Sequence, residues 1–404
     1  MYKVLIAVST LILTSPALAQ FTSDSDGSDG AFMPGGPTYL VDLSLAPTGP
    51  WDTTPHAAGV GVYDPVQWAV VFQYTTIDIP AGVTVTFHNH LKGPPVIWLA
   101  TGDVTIAGDV VLDGANGCFG AGCSYATPGP GGFSGGIGSP GGRSAGFGPG
   151  GGGFNGLSGG GGGYGTGGQG QGGVIYGTAT IVPLIGGSGG GWGVAGGLRS
   201  GGAGGGAILI ASSGNIFLDS FGGIFATGGD AACCNEAGGG SGGGIRLITN
   251  TISGSGMLRA LGGTGGVNIG GDGRIRVEAK RNMLVDPGDP LFTTGLPGSV
   301  FPDATGPTLR VTAVNGVPVP ADPLATVVSP DVCFISAGLV TIDIEAQNVP
   351  VGLAVTVRIV DALGGFSQVV TSTPLAGTLV LSTATADATF IDGASEVQLS
   401  VQVP

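Results

Sequence analysis

Gly205-Gly206-Ala207-Ile208-Leu209-Ile210-Ala211 leads into Asn215-Ile216-Phe217-Leu218 and then into Gly223-Ile224-Phe225-Ala226-Thr227-Gly228-Gly229, and this phrase returns twice. Its second copy is Gly243-Gly244-Ile245-Arg246-Leu247-Ile248 with Gly256-Met257-Leu258-Arg259-Ala260-Leu261-Gly262-Gly263, and a third opens at Gly271-Asp272-Gly273-Arg274-Ile275-Arg276-Val277-Glu278. Ile208 and Ile245 lie 37 residues apart and Ile245 and Ile275 lie 30 apart, so the unit recurs with connections of variable length. A unit of this size cannot bury its own apolar side and gains a core by stacking on its neighbours. Stacking predicts ladders of inward Ile, Leu, Val and Ala, with Thr, Ser, Arg and Asp facing water. Glycine at the corners supplies the positive φ that sharp bends require. The expected fold class is all-β, a parallel β-solenoid with glycine-rich loops.

Upstream, Ile77-Asp78-Ile79-Pro80-Ala81-Gly82-Val83-Thr84-Val85-Thr86-Phe87 alternates β-formers around a turn. Val96-Ile97-Trp98-Leu99-Ala100, Val104-Thr105-Ile106 and Val110-Val111-Leu112 follow at close spacing as short strands. A glycine-dense stretch, 118–202, separates these strands from the repeats and carries Phe119, Phe133, Phe154, Tyr164, Tyr176 and Trp192. It lacks the strict Gly-X-Y period of collagen. It reads either as a flexible linker or as packed loops plugged by aromatics, and the strand-like residues 181–185 inside it favour packing. From residue 307 glycine thins out and seven candidate strands suggest an immunoglobulin-like β-sandwich, 307–404. The expected organisation is a signal peptide at 1–19, an acidic tail and solenoid cap at 20–73, the glycine-rich solenoid at 74–302, and the sandwich.

The first residues have the three parts of a secretory signal: Lys3, an apolar run, and the small-residue site Ala17-Leu18-Ala19. Cleavage between Ala19 and Gln20 predicts a secreted or cell-surface bacterial protein without a membrane span. Glycine contributes 86 of 404 residues, roughly three times the usual ~7%. Charged residues are only 9%, and the net charge is −14 with no Lys/Arg cluster, which argues against nucleic acid as a partner. In an exported chain Cys118, Cys123, Cys233 and Cys234 are disulfide candidates, whereas Cys333 stands apart.

Candidate sites are few. Asp24, Asp26 and Asp29 have the close spacing of a Ca²⁺ loop, but Ser28 replaces an acidic ligand and no Glu closes the loop. The stretch therefore reads first as a flexible tail, with Ca²⁺ the one cofactor it admits. His88 and His90 share a strand face; His56 is the one other histidine, so a surface role comes first. Arg274 and Arg276 share a face by period two, and Arg246 occupies the matching position one repeat earlier. The first reading is solvated arginines paired with Asp272 or Glu278. The second is a basic stripe of Arg246, Arg274 and Arg276, with Asp272, binding a carboxylated glycan. Gly187-Ser188-Gly189 and Gly240-Ser241-Gly242 lack the strand–turn–helix context of a nucleophile elbow. No catalytic residue is assigned.

Ile79-Pro80-Ala81-Gly82-Val83-Thr84, Gly102-Asp103-Val104-Thr105-Ile106-Ala107-Gly108 and Leu112-Asp113-Gly114 resemble the opening coils of pectate-lyase-like right-handed parallel β-helices. The glycine phrases 183–191 and 204–211 are similar to glycine-rich secreted proteins of environmental bacteria. The resemblance covers roughly 74–278 and implies a right-handed solenoid and export. No lyase or hydrolase catalytic residue maps onto this chain. The function expected is a structural or adhesive protein with polysaccharide or cell-surface partners; the alternative is a polysaccharide lyase or glycoside hydrolase.

Overall fold

The computed structural model describes residues 20–120, 124–139, 142–154, 158–193, 199–232, 236–265, 268–303, 305–324, 330–334, 338–361, 367–390 and 393–401. The N-terminal body contains β1 (Gly30–Phe32), β2 (Thr38–Asp42), β3 (Val62–Asp64), β4 (Ala69–Ile79), β5 (Thr84–His88), β6 (Val96–Ala100), β7 (Val104–Ile106) and β8 (Asp109–Val111). It continues with β9 (Gly138–Ser139), β10 (Gly142–Arg143), β11 (Ala207–Leu218), β12 (Gly223–Phe225), β13 (Gly244–Gly254), β14 (Met257–Arg259), β15 (Arg274–Leu284) and β16 (Thr293–Gly295). The C-terminal body contains β17 (Thr308–Val314), β18 (Val317–Pro318), β19 (Gly338–Gln347), β20 (Ala354–Asp361), β21 (Ser367–Pro374), β22 (Ala376–Gly377), β23 (Ser382–Phe390) and β24 (Ser395–Ser400).

One sheet runs β1-β4-β6-β11-β13-β15-β16 and a second runs β2-β5-β8-β12-β14. Register follows the repeat: Ile208 pairs with Ile245 and Ile245 with Ile275. The rows Val70, Val96, Ile208, Ile245, Ile275 and Phe72, Trp98, Ile210, Leu247, Val277 face inward and form the core between the sheets. Each fully buried side chain of this size contributes about 1.5–3 kcal/mol.

The chain is all-β, as expected, but the right-handed β-helix solenoid is not what it forms. Sheets of parallel and of antiparallel pairs coexist, and β4, β6, β11 and β7 close into a four-stranded parallel ring. A solenoid coil would return after its last strand at a glycine corner. Here the chain leaves β8, β12 and β14 as extended glycine segments, reverses, and returns to the next long strand as another such segment. The glycines read as corners build a structure of their own.

Segment 199–206 shows how. The N–H groups of Gly201, Gly202, Ala203, Gly204, Gly205 and Gly206 donate in turn to the carbonyls of Gly136, Gly238, Ala115, Phe133, Ser241 and Leu112. The same three neighbours recur at every third residue. That is the period of a polyproline II helix, which has three residues per turn and no internal hydrogen bonds. Its carbonyls accept from two further segments, at Gly187, Gly190, Gly229 and Ala232. A Cβ on Gly202 would lie 1.8 Å from the Gly229 carbonyl oxygen, and one on Gly204 1.9 Å from that of Gly187. Only glycine permits such an approach, which is why a segment without an apolar side chain still packs. The stretch read as linker or packed loops is therefore a laterally hydrogen-bonded glycine bundle.

The C-terminal strands form a five-stranded antiparallel sheet, β18-β17-β19-β23-β22, and a three-stranded one, β21-β20-β24. Val340, Ile342 and Ile344 of β19 meet Val355, Val357 and Ile359 of β20 in their shared core. This body docks on the bundle through Arg358, which donates to the carbonyls of Gly148 at 2.7 Å and Gly151 at 3.1 Å. Beside it Val360 packs with Ala145 and Phe147.

Candidate functional site

Arg246 and Arg276 are register partners on β13 and β15, as their matching positions in the repeat predict. They are not a solvated stripe. The outer row Val71, Ile97, Leu209, Arg246 and Arg276 is crossed by the strap after β16, which packs Val300 and Phe301 against Phe21 and Trp51. Beneath it Arg246 meets Glu278 at 3.2 Å and donates to the carbonyls of Ser299 at 2.7 Å and Val300 at 3.1 Å. Arg276 reaches the same carboxylate at 3.2 Å and the Thr294 carbonyl at 2.7 Å. One carboxylate thus joins two guanidiniums, and Arg246 is too buried to touch a polymer. Arg274 turns instead to the bundle, its Nη2 on the Tyr176 carbonyl at 3.0 Å and its guanidinium 5.5 Å from the Tyr164 ring. Asp272 accepts from the Gly262 N–H within the bundle at 3.2 Å. The four residues of the predicted stripe therefore split between a buried ion cluster and the bundle.

The acidic stretch is pinned rather than loose. The main chain of Phe21 bonds the Asn250 side chain, and Ser23 Oγ donates to the Ala100 carbonyl at 2.7 Å. Asp29 is buried, accepting from the backbone N–H groups of Gly59, Gly61 and Gln73 and lying 3.3 Å from His56. Asp26 accepts from the Ser28 N–H and Asp24 from the Thr22 hydroxyl, so each of the three carboxylates has its own local task. Among the described residues no group of three His, Cys, Asp or Glu converges as a metal site. His88 pairs with Asp42 at 2.8 Å, while His90 stacks on Tyr63 at 4.4 Å, so the two histidines serve different partners. Burial first, then the Lys92 charge, holds His90 below its ordinary value, against a rise from Asp322.

Ser188 and Ser241 are fully buried in the bundle, where Ser188 Oγ accepts from the Gly150 N–H at 3.0 Å and Ser241 Oγ from the Ser188 N–H at 2.8 Å. They close backbone valences that glycine neighbours lack side chains to meet. Cys118 is disulfide-bonded, and Cys333 is free and exposed. Cys123, Cys233 and Cys234 lie outside the described residues, as do Ala19 and the other residues before Gln20. Gln20 is exposed, with its side-chain amide on the Ser213 carbonyl at 3.1 Å. No helix among the described residues is long and apolar enough to cross a membrane.

A second location emerges only from the fold. Segments 112–118, 187–193, 226–232 and 260–265 run one way, and 199–206, 237–243 and 268–273 run the other, as their mutual hydrogen bonds require. The described segments therefore alternate in sense, and Phe119, Phe154, Ser158, Gly170, Trp192, Arg199 and Asn268 lie at one end of the bundle. Among the described residues at that end, Phe119 is 54% exposed and the guanidinium carbon of Arg199 sits 5.1 Å from its ring centre. Phe154 packs on Trp192 at 5.0 Å, and the Asn268 amide donates to Ser158 Oγ at 2.6 Å and the Gly159 carbonyl at 2.8 Å. Aromatic faces and polar groups from six segments thus lie at one end of a backbone scaffold. The sequence signal for them was present: aromatics and charges interrupt the glycine runs at that end. It was missed because those runs were read as corners or loops.

Between residues 20–24 and 298–302 lies an open cleft of about 420 Å³. Comparison with models of known protein families gives no match, and neither curated proteins nor solved structures give one.

Proposed function

We propose that this chain is a structural and adhesive protein of the bacterial exterior, and that it grips a polysaccharide or other cell-surface component with the far end of its glycine bundle. The observation that carries this reading is the collection of aromatic and polar side chains at one end of a bundle held by backbone hydrogen bonds. Recognition residues are commonly found on loops fixed by a rigid scaffold. Phe119 supplies an exposed aromatic face, and Arg199 places a cation over that ring, an arrangement worth about 0.5–1 kcal/mol in itself. The signal sequence supports export, and the low charge with scattered cations supports a partner other than nucleic acid.

Binding of the purified chain to a panel of neutral and uronic-acid polysaccharides and to whole bacterial cells tests the proposal. Saturable binding that Phe119→Ala weakens and Phe119→Trp retains is expected. Binding to none of these surfaces, binding indifferent to Phe119→Ala, or release of new sugar ends by the protein would overturn it.

A further inference from the structure

We infer that copies of this chain associate end to end, the β1/β2 end of one N-terminal body resting on the β14/β16 end of the next. The longer sheet stops at an edge at each end, β1 at the first and β16 at the second. The other sheet stops at β2 at the first end, while at the second β14 is capped by Asp289, whose N–H donates to the Leu258 carbonyl and whose carbonyl accepts from the Ala260 N–H. β16 pairs only with residues 276–278 of β15, so 280–284 of that eleven-residue strand form an edge. Such backbone is a template for a further strand. Because β1, β2, β14 and β16 all pair in parallel with their neighbours, an added copy continues the same sense.

Both ends also expose apolar side chains. Met33, Leu40 and Leu45 mark the first, at 58–66% exposure, and Val285, Leu291 and Leu296 the second, at 67–78%. The ends differ in charge. Residues 20–91 include seven aspartates and no lysine or arginine, with Asp42 on β2 and Asp78 on β4. At the second end Arg246 and Arg276 are paired with Glu278 and Arg259 with Asp286, and Arg274 turns to the bundle, so the positive charge that the edge presents is that of Lys280 and the exposed Arg281 on β15. Like ends repel and unlike ends attract, so the contact is head to tail. A heterologous contact of that kind grows as an open chain instead of closing as a twofold dimer. A second copy therefore fits better than a partner of uniform charge.

Sedimentation and electron microscopy of the purified full chain, across protein concentration at low and high salt, test this. At low salt, rods that lengthen with concentration are expected, dissociating as salt screens the charges. Lys280→Glu with Arg281→Glu should weaken association at least about tenfold, and adding Asp78→Lys to the same chain should restore part of it. Leu40→Glu, at the opposite end, should weaken it independently, with melting curves confirming that each variant folds. A monomer at every concentration in low salt, a dimer that does not grow, or assembly unchanged by the charge reversals would overturn the inference.

Discussion

Arg246 and Glu278 meet at 3.2 Å where neither side chain is more than 4% exposed. The pair sits beneath the strap at 298–302, and its energetics are those of buried charges: breaking one costs far more than the pair is worth. Arg246→Leu should destabilise the chain by about 3–5 kcal/mol, since it leaves Glu278 with Arg276 and the Gly298 N–H only and frees the Ser299 and Val300 carbonyls. Arg246→Leu combined with Glu278→Leu should recover much of that loss. Chemical denaturation of the three proteins checks this.

The bundle predicts a sharp contrast between glycines. Gly202→Ala places a methyl 1.8 Å from the Gly229 carbonyl oxygen, with the backbone of Gly229 and Asp230 as its nearest neighbours. A loss of at least about 3 kcal/mol is expected, the upper range for overpacking. Gly35→Ala meets nothing within 4 Å and has no positive φ. It should be neutral, or stabilising by about 0.4–1 kcal/mol through the unfolded state. Thermal melting of the two variants measures the difference.

Asp29 organises the loop at 56–61 and the start of β1 from a single carboxylate. Asp29→Ala leaves three backbone donors and His56 without it, and each stranded donor costs about 1–3 kcal/mol. Faster amide exchange at Gly59, Gly61 and Gln73 is expected, with a lower melting temperature.

Docking of the C-terminal body should respond to pH through Glu396. Burial pushes its carboxyl above the ordinary 4.5, partly offset by the Gln398 amide, the Arg358 charge and the backbone. The folded state then holds the proton more tightly than the unfolded one. The contribution is fully present below 4.5 and is lost as pH rises through the folded value. Melting temperatures at successive pH values should show this fall, and Glu396→Gln should flatten it.

The β-stack was legible because side chains write it. Ile208, Ile245 and Ile275 recur in the sequence and share one register in the sheet, since inward apolar residues at period two leave no other choice of face. The bundle was not legible. Its partners, such as Gly202 with Gly238 and Ala203 with Ala115, are joined by backbone alone, and glycine has no side chain to advertise the contact. The arginine cluster fell between. The Arg246–Arg276 match was readable, but its burial depended on the strap at 298–302, whose Gly-Ser-Val sequence gives no sign that it crosses β13.

The bundle also divides the chain by its tolerance of genetic change. Along the segments, nearly any substitution for glycine drives a methyl group into a neighbouring carbonyl. At the end of the segments Phe119, Phe154, Ser158, Trp192 and Arg199 stand where glycine is no longer the residue used. A lineage of such chains can therefore rewrite its contacts with the outside world in a few short patches, while the framework beneath them stays frozen.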